Sequence, residues 1–275
     1  MKIFVTGPDG NVGRELLKLG CDPMRVDVTS RWKVKTSLKL LRPDLIIHCA
    51  AFTDVNLAEV NHKPVHHVNV DGTARLRMAW DGPMIYISSD HIFRGEQGPY
   101  SEKARPAPVN TYGMTKMAGE AVMDIAKNPN PQDKIVRTST LFGGLHDIKF
   151  WGSYFKLQKA EEIVETAVIY RSFLWVAHFA ECLMDLTTKL DSTPKVLNIS
   201  GTKVLNYSSF AREVCDVWGF DKSLVRIRKK KLQDAVPRPY KGGLKVRLAQ
   251  KHNIPVKSAR EGLEAIRDKA AGSLL

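Results

Sequence analysis

An α/β fold built on a doubly wound parallel sheet of the Rossmann type, with a smaller C-terminal α/β substrate lobe, follows from three observations. Short β-branched runs alternate with helical patterns through the first half, a glycine turn joins the first strand to the first helix, and the alternation loosens after Gly143 and Gly144.

The elements follow in order. Lys2 to Thr6 reads as the first strand and Val12 to Leu19 as the first helix. Met24 to Val28 is the only extended stretch before a helix at Ser30 to Leu41, so the second unit is abbreviated. Strands at Asp44 to Cys49, Met84 to Ser88 and Lys134 to Thr138 alternate with helices at Pro64 to Trp80 and Tyr112 to Ala126. Beyond the glycine pair, Val164 to Ile169 and Lys195 to Ile199 read as strands, and Val176 to Leu190 and Ser208 to Trp218 as helices. The predicted division is a dinucleotide-binding core at 1–144 and a mainly substrate-binding lobe at 145–275, with some segments returning to the core. No internal repeat or low-complexity linker separates them.

Composition narrows the class. Among the 275 residues, 43% are hydrophobic and 26% charged, values of an ordinary packed domain and not of a disordered or disulfide-stapled chain. Leu45 to Ala51, among the longest apolar runs, is far too short to cross a bilayer, and the chain opens on a strand with no leader-like stretch. The expectation is a soluble, cytoplasmic protein. Cys21, Cys49, Cys182 and Cys215 are widely spaced, which favours reduced, buried thiols. His62, His66 and His67 lack companion ligands, so no metal is expected. A net charge of +13 attracts nucleotides, nucleic acid and acidic surfaces alike. The densest basic run, Arg226 to Lys231, carries no aromatic side chain. It fits a solvated face better than a nucleic-acid platform.

Three motifs carry chemistry. The turn Thr6-Gly7-Pro8-Asp9-Gly10-Asn11-Val12-Gly13 stands where the first helix begins, so its N–H groups and the helix N-terminus can receive a pyrophosphate. In isolation a glycine-rich surface turn fits it equally well. Tyr112 and Lys116 are four apart and share a helix face, placing a phenol and an ammonium in one cleft. A phenol titrates near pH ~10, and a neighbouring cation would ease its work as a proton donor. Alone, that spacing also suits any amphipathic helix. The strand Ile85-Tyr86-Ile87 ends in Ser88-Ser89-Asp90, and in a parallel sheet this end faces the ligand, where Ser89 can hydrogen-bond a carbonyl oxygen.

The three motifs together resemble the extended short-chain dehydrogenase/reductase superfamily, and within it the dTDP-4-dehydrorhamnose reductase family. The resemblance extends through Asp27-Val28-Thr29, Arg42-Pro43-Asp44, Ala50-Ala51-Phe52-Thr53-Asp54-Val55, Val68-Asn69, Pro108 to Gly113, Lys116 to Glu120 and Arg137-Thr138-Ser139. It is looser at Leu197 to Gly201, Phe210 to Glu213 and Arg238-Pro239.

The resemblance implies NAD(P)H-dependent reduction of a 4-keto group on a nucleotide-linked deoxysugar. Tyr112 would donate the proton, Lys116 would lower the phenol's pKa and hold the nicotinamide ribose, and Ser89 would polarise the carbonyl. It assigns the pyrophosphate to Gly7, Gly10, Asn11, Val12 and Gly13, the adenine to Asp27 and Val28, and the ribose side to Ala50 and Ala51. Ser89, Asp90, Thr140 and Arg238 would meet the substrate. Asp27 also reads as a strand-end carboxylate that caps the next helix, and Arg238 also reads as a surface cation.

Three departures stand out. Thr140 replaces the family's Trp, and His91 and Arg94 replace its Tyr and Asp, so the sugar differs in shape or charge. No acidic residue is placed to grip the adenosine ribose, and Arg25 would suit a 2′-phosphate, which favours NADPH over NADH. A homodimer, a non-catalytic dinucleotide-binding regulatory subunit, and an epimerase or dehydratase using Asp90 remain open alternatives.

Overall fold

The computed structural model describes residues 1–125, 130–145, 147–230 and 236–272; Ala126, at the end of the expected Tyr112 helix, and Lys231, at the end of the basic run, lie outside the described residues. In chain order the first half comprises β1 (Ile3–Thr6), α1 (Asn11–Lys18), β2 (Asp22–Met24), α2 (Arg31–Leu41), β3 (Leu45–His48), α3 (Val55–Val60) and α4 (His62–His66). A π-helical turn (His67–Gly72) leads into α5 (Thr73–Ala79), β4 (Met84–Ser89), a 3-10 turn (Asp90–Ile92), α6 (Thr111–Ile125) and β5 (Lys134–Thr138). Then come β6 (Leu141–Phe142), α7 (Ile148–Gln158), β7 (Ile163–Thr166), β8 (Tyr170–Ser172), β9 (Leu174–Trp175) and α8 (Val176–Thr187). β10 (Val196–Asn198), β11 (Val204–Asn206), α9 (Tyr207–Trp218), β12 (Val225–Arg228), α10 (Arg247–Lys251) and α11 (Ala259–Gly272) follow.

β1, β3 and β5 are buried at every position, as strands covered on both faces must be. They form a six-stranded parallel sheet in the order β10-β5-β4-β3-β1-β2, with Val5 opposite Ile47 on one side and Pro23 on the other. The chain therefore steps outward from β1 to β2 and crosses back to β3. The crevice between β1 and β3 is the switch point where such sheets bind ligands. The short second unit supplies no strand beyond β2, so the sheet ends there.

Two cores result. One lies around the sheet and α8, with Leu16, Leu45, Ile47, Val136, Phe179 and Leu183. The other gathers Phe142, Phe150, Phe173, Phe210, Val214 and Leu263 from the later elements, and Val12 of α1 packs against both. β10 joins the main sheet beside β5, whereas β7 pairs in parallel with β12 in a separate ribbon.

The helix expected at 64–80 starts two residues earlier and contains the π-helical turn. Thr73 Oγ1 donates to the Asn69 carbonyl at 2.7 Å within this stretch, and both side chains are buried. A Cβ on Gly72 would meet Val28 Cγ2 at 2.7 Å, which is why that turn can close against the loop before α2. Periodicity alone does not separate a π turn from an α turn.

α6 is fastened to the sheet by charge. Arg137 on β5 donates from Nε and Nη2 to the two carboxylate oxygens of Glu120 at 2.9 and 2.7 Å, and Ser88 on β4 donates to the same carboxylate at 2.6 Å. Both ionic partners are buried. Replacing Glu120 with Met should lower unfolding free energy by about 3–5 kcal/mol in urea titrations, because it leaves a guanidinium buried without its partner. The double variant Glu120→Met/Arg137→Leu should lose clearly less. A single variant within about 1 kcal/mol of the parent would contradict this role.

Candidate active site

The β1–α1 turn forms one wall of a cleft of about 400 Å³ at the sheet's carboxyl end, lined by Gly7, Gly10, Asn11, Val12 and Gly13 opposite Ser89, Tyr112 and Lys116. Its glycines are needed for space. Gly7 has φ +65° and a Cβ there would stand 2.8 Å from the Ala50 backbone, while a Cβ on Gly13 would strike the Gly7 carbonyl. Gly10 caps α1 without any side-chain hydrogen bond, so no side chain of the cap occupies the helix's first-turn donors. A glycine cradle on uncapped helix donors is the chemistry that fits a dinucleotide pyrophosphate.

On the opposite wall, β4 delivers Ser89 and α6 delivers Tyr112 and Lys116. Ser89 and Tyr112 line the same cleft, and Ser89 Oγ accepts from the His91 backbone N–H. Desolvation pushes the Tyr112 phenol up to about 12, with Ser89 pulling it down and Asp90 adding to the rise. At neutral pH Tyr112 is therefore a full proton donor. Lys116 is buried, and desolvation draws its ammonium down to about 7 against the opposing pull of Glu120 and Cys49. Its Nζ stands 4.2 Å from the centroid of the Tyr86 ring. The expectation that Lys116 lowers the Tyr112 pKa therefore differs from what the structure shows: Ser89 is the group that lowers it, and the ammonium rests on Tyr86.

Behind the cleft runs a single-file chain of hydrogen bonds. Ala50 N–H donates to Thr6 Oγ1 at 3.2 Å, Thr6 Oγ1 lies 2.7 Å from His48 Nδ1, and His48 Nε2 lies 3.0 Å from Thr73 Oγ1. Because Thr73 spends its proton on the Asn69 carbonyl, His48 carries its own on Nε2 and accepts from Thr6 at Nδ1. Burial, with Lys116 nearby, depresses His48 to about 3, so the ring stays neutral. Asn69 extends the chain sideways, bracketing Phe52 through its N–H and carbonyl and donating to Thr115 on α6.

The other expected residues are distributed unevenly. Ala51 lines the cleft; Asp27, Val28 and Ala50 do not. The Asp27 carboxylate accepts from Thr29 N and Oγ1 at 3.0 and 2.6 Å, closing a turn just before Ser30 caps α2. Arg25 is ion-paired with Asp9 of the glycine turn and holds that carboxyl below its ordinary range. Asp90 is 1% exposed and held at one oxygen, Oδ2: Ser139 Oγ donates to it at 2.6 Å, Gly243 N at 3.2 Å, and Arg171 Nε lies 3.7 Å away.

Thr140 lines a neighbouring aromatic chamber with Phe142, Phe150, Phe173 and Tyr207, which shares Leu141 with the cleft. Arg238 bonds Asn56 at 2.6 Å and lines a further cavity with His91. His62 bonds Thr111, and His66 and His67 face Asp71. No group of His, Cys, Asp and Glu among the described residues could hold a metal ion. Nor is any described helix long and apolar enough to cross a membrane.

A family model, the RmlD substrate binding domain, matches residues 1–271. The chain belongs to this family. The RmlD chain is 34% identical over 177 residues to a dTDP-4-keto-6-deoxy-D-glucose reductase of Streptomyces niveus, covering 59% of this chain and 60% of that protein. It is 25% identical over 265 residues to a methionine adenosyltransferase 2 subunit beta of Xenopus laevis, covering 87% of this chain and 78% of the relative. Matches to the first curated relatives span only 51–60% of their length. The crystal structure of a dTDP-4-dehydrorhamnose reductase from Bacillus anthracis str. Ames, in complex with NADP, superposes with a TM-score of 0.87 at 26% identity. The superposition covers 98% of this chain and all of that one. The resemblance read from the glycine turn and the Ser89, Tyr112 and Lys116 motifs is thus confirmed at the level of family and fold.

Sequence reasoning placed Glu120, Arg137, Asn69, Asn110 and Tyr86 within the resemblance but gave them no role in supporting the site. Glu120 four residues after Lys116 was the available signal for the first of these. Lys116→Met gives a test of the buried ammonium. A lysine whose folded pKa is depressed carries an uncompensated charge below that value, and the folded state is relieved of it as pH rises above about 7. The Met variant should therefore exceed the parent in thermal stability at pH 6, and the excess should shrink as pH rises from 7 to 9. A gap independent of pH would show that Lys116 is not destabilised by its burial.

Proposed function

We propose that this chain reduces a 4-keto group on a nucleotide-linked deoxysugar with NADPH or NADH. The observation that carries the reading is that Ser89, Tyr112 and Lys116 line one cleft together with the glycine cradle. Similarity to proteins named as keto-sugar reductases, one of them solved with NADP, supports it.

When bound, the nicotinamide supplies hydride. The residues do the rest. Gly7, Gly10, Asn11, Val12 and Gly13 would hold the pyrophosphate, with Asp27, Val28, Ala50 and Ala51 toward the adenosine side, and Lys116 would hold the nicotinamide ribose. Ser89 donates to the substrate carbonyl, and Tyr112 delivers its proton to the forming alkoxide, so no full negative charge accumulates on oxygen. In this reading residues 1–144 serve the cofactor, while the later segments, with Thr140 and Arg238, receive the nucleotide sugar. Arg25 would suit a 2′-phosphate, which would replace Asp9 as its partner, and on this reading NADPH is favoured. The reading carries with it a cytoplasmic location.

The engagement of Asp90 by Ser139, Gly243 and Arg171 favours reduction over dehydration, since a dehydratase needs an acid free to exchange its proton. A regulatory, non-catalytic role is a second reading, motivated by the long match to the Xenopus beta subunit. The intact proton donor argues against it.

Purified protein should oxidise NADPH or NADH when given a 4-keto-6-deoxy nucleotide sugar. Tyr112→Phe should cut kcat by about 10²–10⁴-fold with dinucleotide affinity retained. Tight dinucleotide binding without turnover of any sugar in a broad panel would transfer the case to the regulatory reading.

A further inference from the structure

One titratable ring beside the proton donor has no part in the scheme above. His91 follows Ser89 and Asp90 in the 3-10 turn, is 9% exposed, and donates its backbone N–H to Ser89 Oγ at 3.2 Å. Its imidazole meets the Tyr112 ring edge-on, with centroids 5.5 Å apart and planes at 73°.

The neighbours of this ring fix its protonation. Gly113 N–H donates to Asn110 Oδ1 at 2.8 Å, which settles the orientation of the amide. Asn110 Nδ2 donates to the Pro237 carbonyl at 2.8 Å and lies 3.1 Å from His91 Nδ1. An amide nitrogen only donates, so Nδ1 is the acceptor and the ring proton resides on Nε2. Two backbone groups hold Asn110, so the ring cannot change tautomer without breaking this arrangement. Burial depresses the imidazole to about 4, with Arg171 and Arg238 reinforcing the effect against Asp90 and Asn110.

No hydrogen bond from Nε2 is found among the described residues, and that atom is not sealed from solvent. The ring lines a cavity of about 370 Å³ shared with Lys149, Arg171, Arg228, Arg238, Glu165 and Tyr207. Four cations face one carboxylate there. His91 thus presents a fixed, neutral donor to a ligand surrounded by positive charge, next to the phenol that marks the reacting carbonyl.

We propose that His91 is a specificity-determining residue: its Nε2–H donates to an oxygen on the sugar ring beside the reacting keto carbon, selecting hydroxyl or carboxylate substituents there and rejecting an amino group. The proposal rests on the reductase reading of the site. An ammonium at that position would set donor against donor inside a cationic cavity, and an unmatched buried donor weakens binding.

The test uses the full chain with NADPH and paired nucleotide-linked 4-keto-6-deoxysugars that carry either a hydroxyl or an amino group beside the keto carbon. The hydroxyl sugar should have a kcat/KM about 10- to 100-fold higher. His91→Phe should erase most of that preference and raise KM more than it lowers kcat, and His91→Gln, which restores an amide donor, should recover it. Equal use of the two sugars, or discrimination that survives in His91→Phe, overturns the proposal.

A second measurement does not need turnover. Long-range ¹⁵N spectra of the full chain, with His91 assigned by its loss in His91→Gln, should show the Nε2–H form from pH 6 to 8, and adding the hydroxyl sugar should shift Nε2. An Nδ1–H or charged ring overturns the proposal. If no sugar is turned over although the Nε2–H form is present, the reductase reading has failed, and calorimetric affinities for the same two sugars decide the recognition role.

Discussion

The buried contact among Ser88, Glu120 and Arg137 is the constraint on which the site depends. The proposed site requires residues from two elements with no local reason to meet: Ser89 at the end of β4, and Tyr112 with Lys116 on α6. The carboxylate of Glu120 accepts from both β4 and β5, so it fixes the rotation of α6 about its axis as well as its distance from the sheet. Gly119 allows the approach, since a Cβ there would collide with the Tyr86 hydroxyl. Once α6 is seated, Lys116 falls over the Tyr86 ring and Tyr112 lines the cleft with Ser89. An ion pair in water would do little of this. Buried and bidentate, it tolerates few alternative helix orientations.

A second layer adds neutral, oriented imidazoles beside the cleft. Burial keeps His48 and His91 neutral, each confined to one tautomer by a neighbour whose own hydrogen bonds are committed. Asp90 is charge-compensated by Arg171 and backbone donors. The segment at 237–243 closes this arrangement from outside: Pro237 binds Asn110, Lys241 pairs with Gly95 and Gly98, and Gly243 reaches both Asp90 and Tyr100. The later part of the chain is therefore a structural component of the loops beside Ser89 and Tyr112.

Which features were legible in sequence follows from the range of the interactions behind them. The parallel sheet, the glycine turn and the Tyr112–Lys116 spacing are local patterns, and each is where it was expected. The bonds that decide the state of Asp90 come from Ser139, Arg171 and Gly243, all distant in sequence, so a carboxylate that reads as an available acid is engaged in the fold. Arg25 reads as a free cation for the same reason, although it is paired with Asp9. Lys116 reads as the partner of Tyr112 because helix spacing brings the two to one face. Spacing says nothing of the Tyr86 ring, which comes from another strand. Thr140 and Arg238 belong to cavities whose walls are assembled from the later elements, where hydrophobic periodicity is weakest.

The π-helical turn at His67–Gly72 has a consequence for how the protein can change over time. An α-helix advances by about 100° per residue, so a helix with one extra residue wound into it has an upstream face and a downstream face that are out of phase. Val65 before the turn and Leu76 after it both point into the protein, and Asn69 and Thr73 bind the loop behind the cleft. Such a helix is keyed like a lock. Point substitutions can be absorbed locally, but gaining or losing one residue in this stretch rotates every later side chain of α5 away from its partner. Length here is as strongly specified as residue identity.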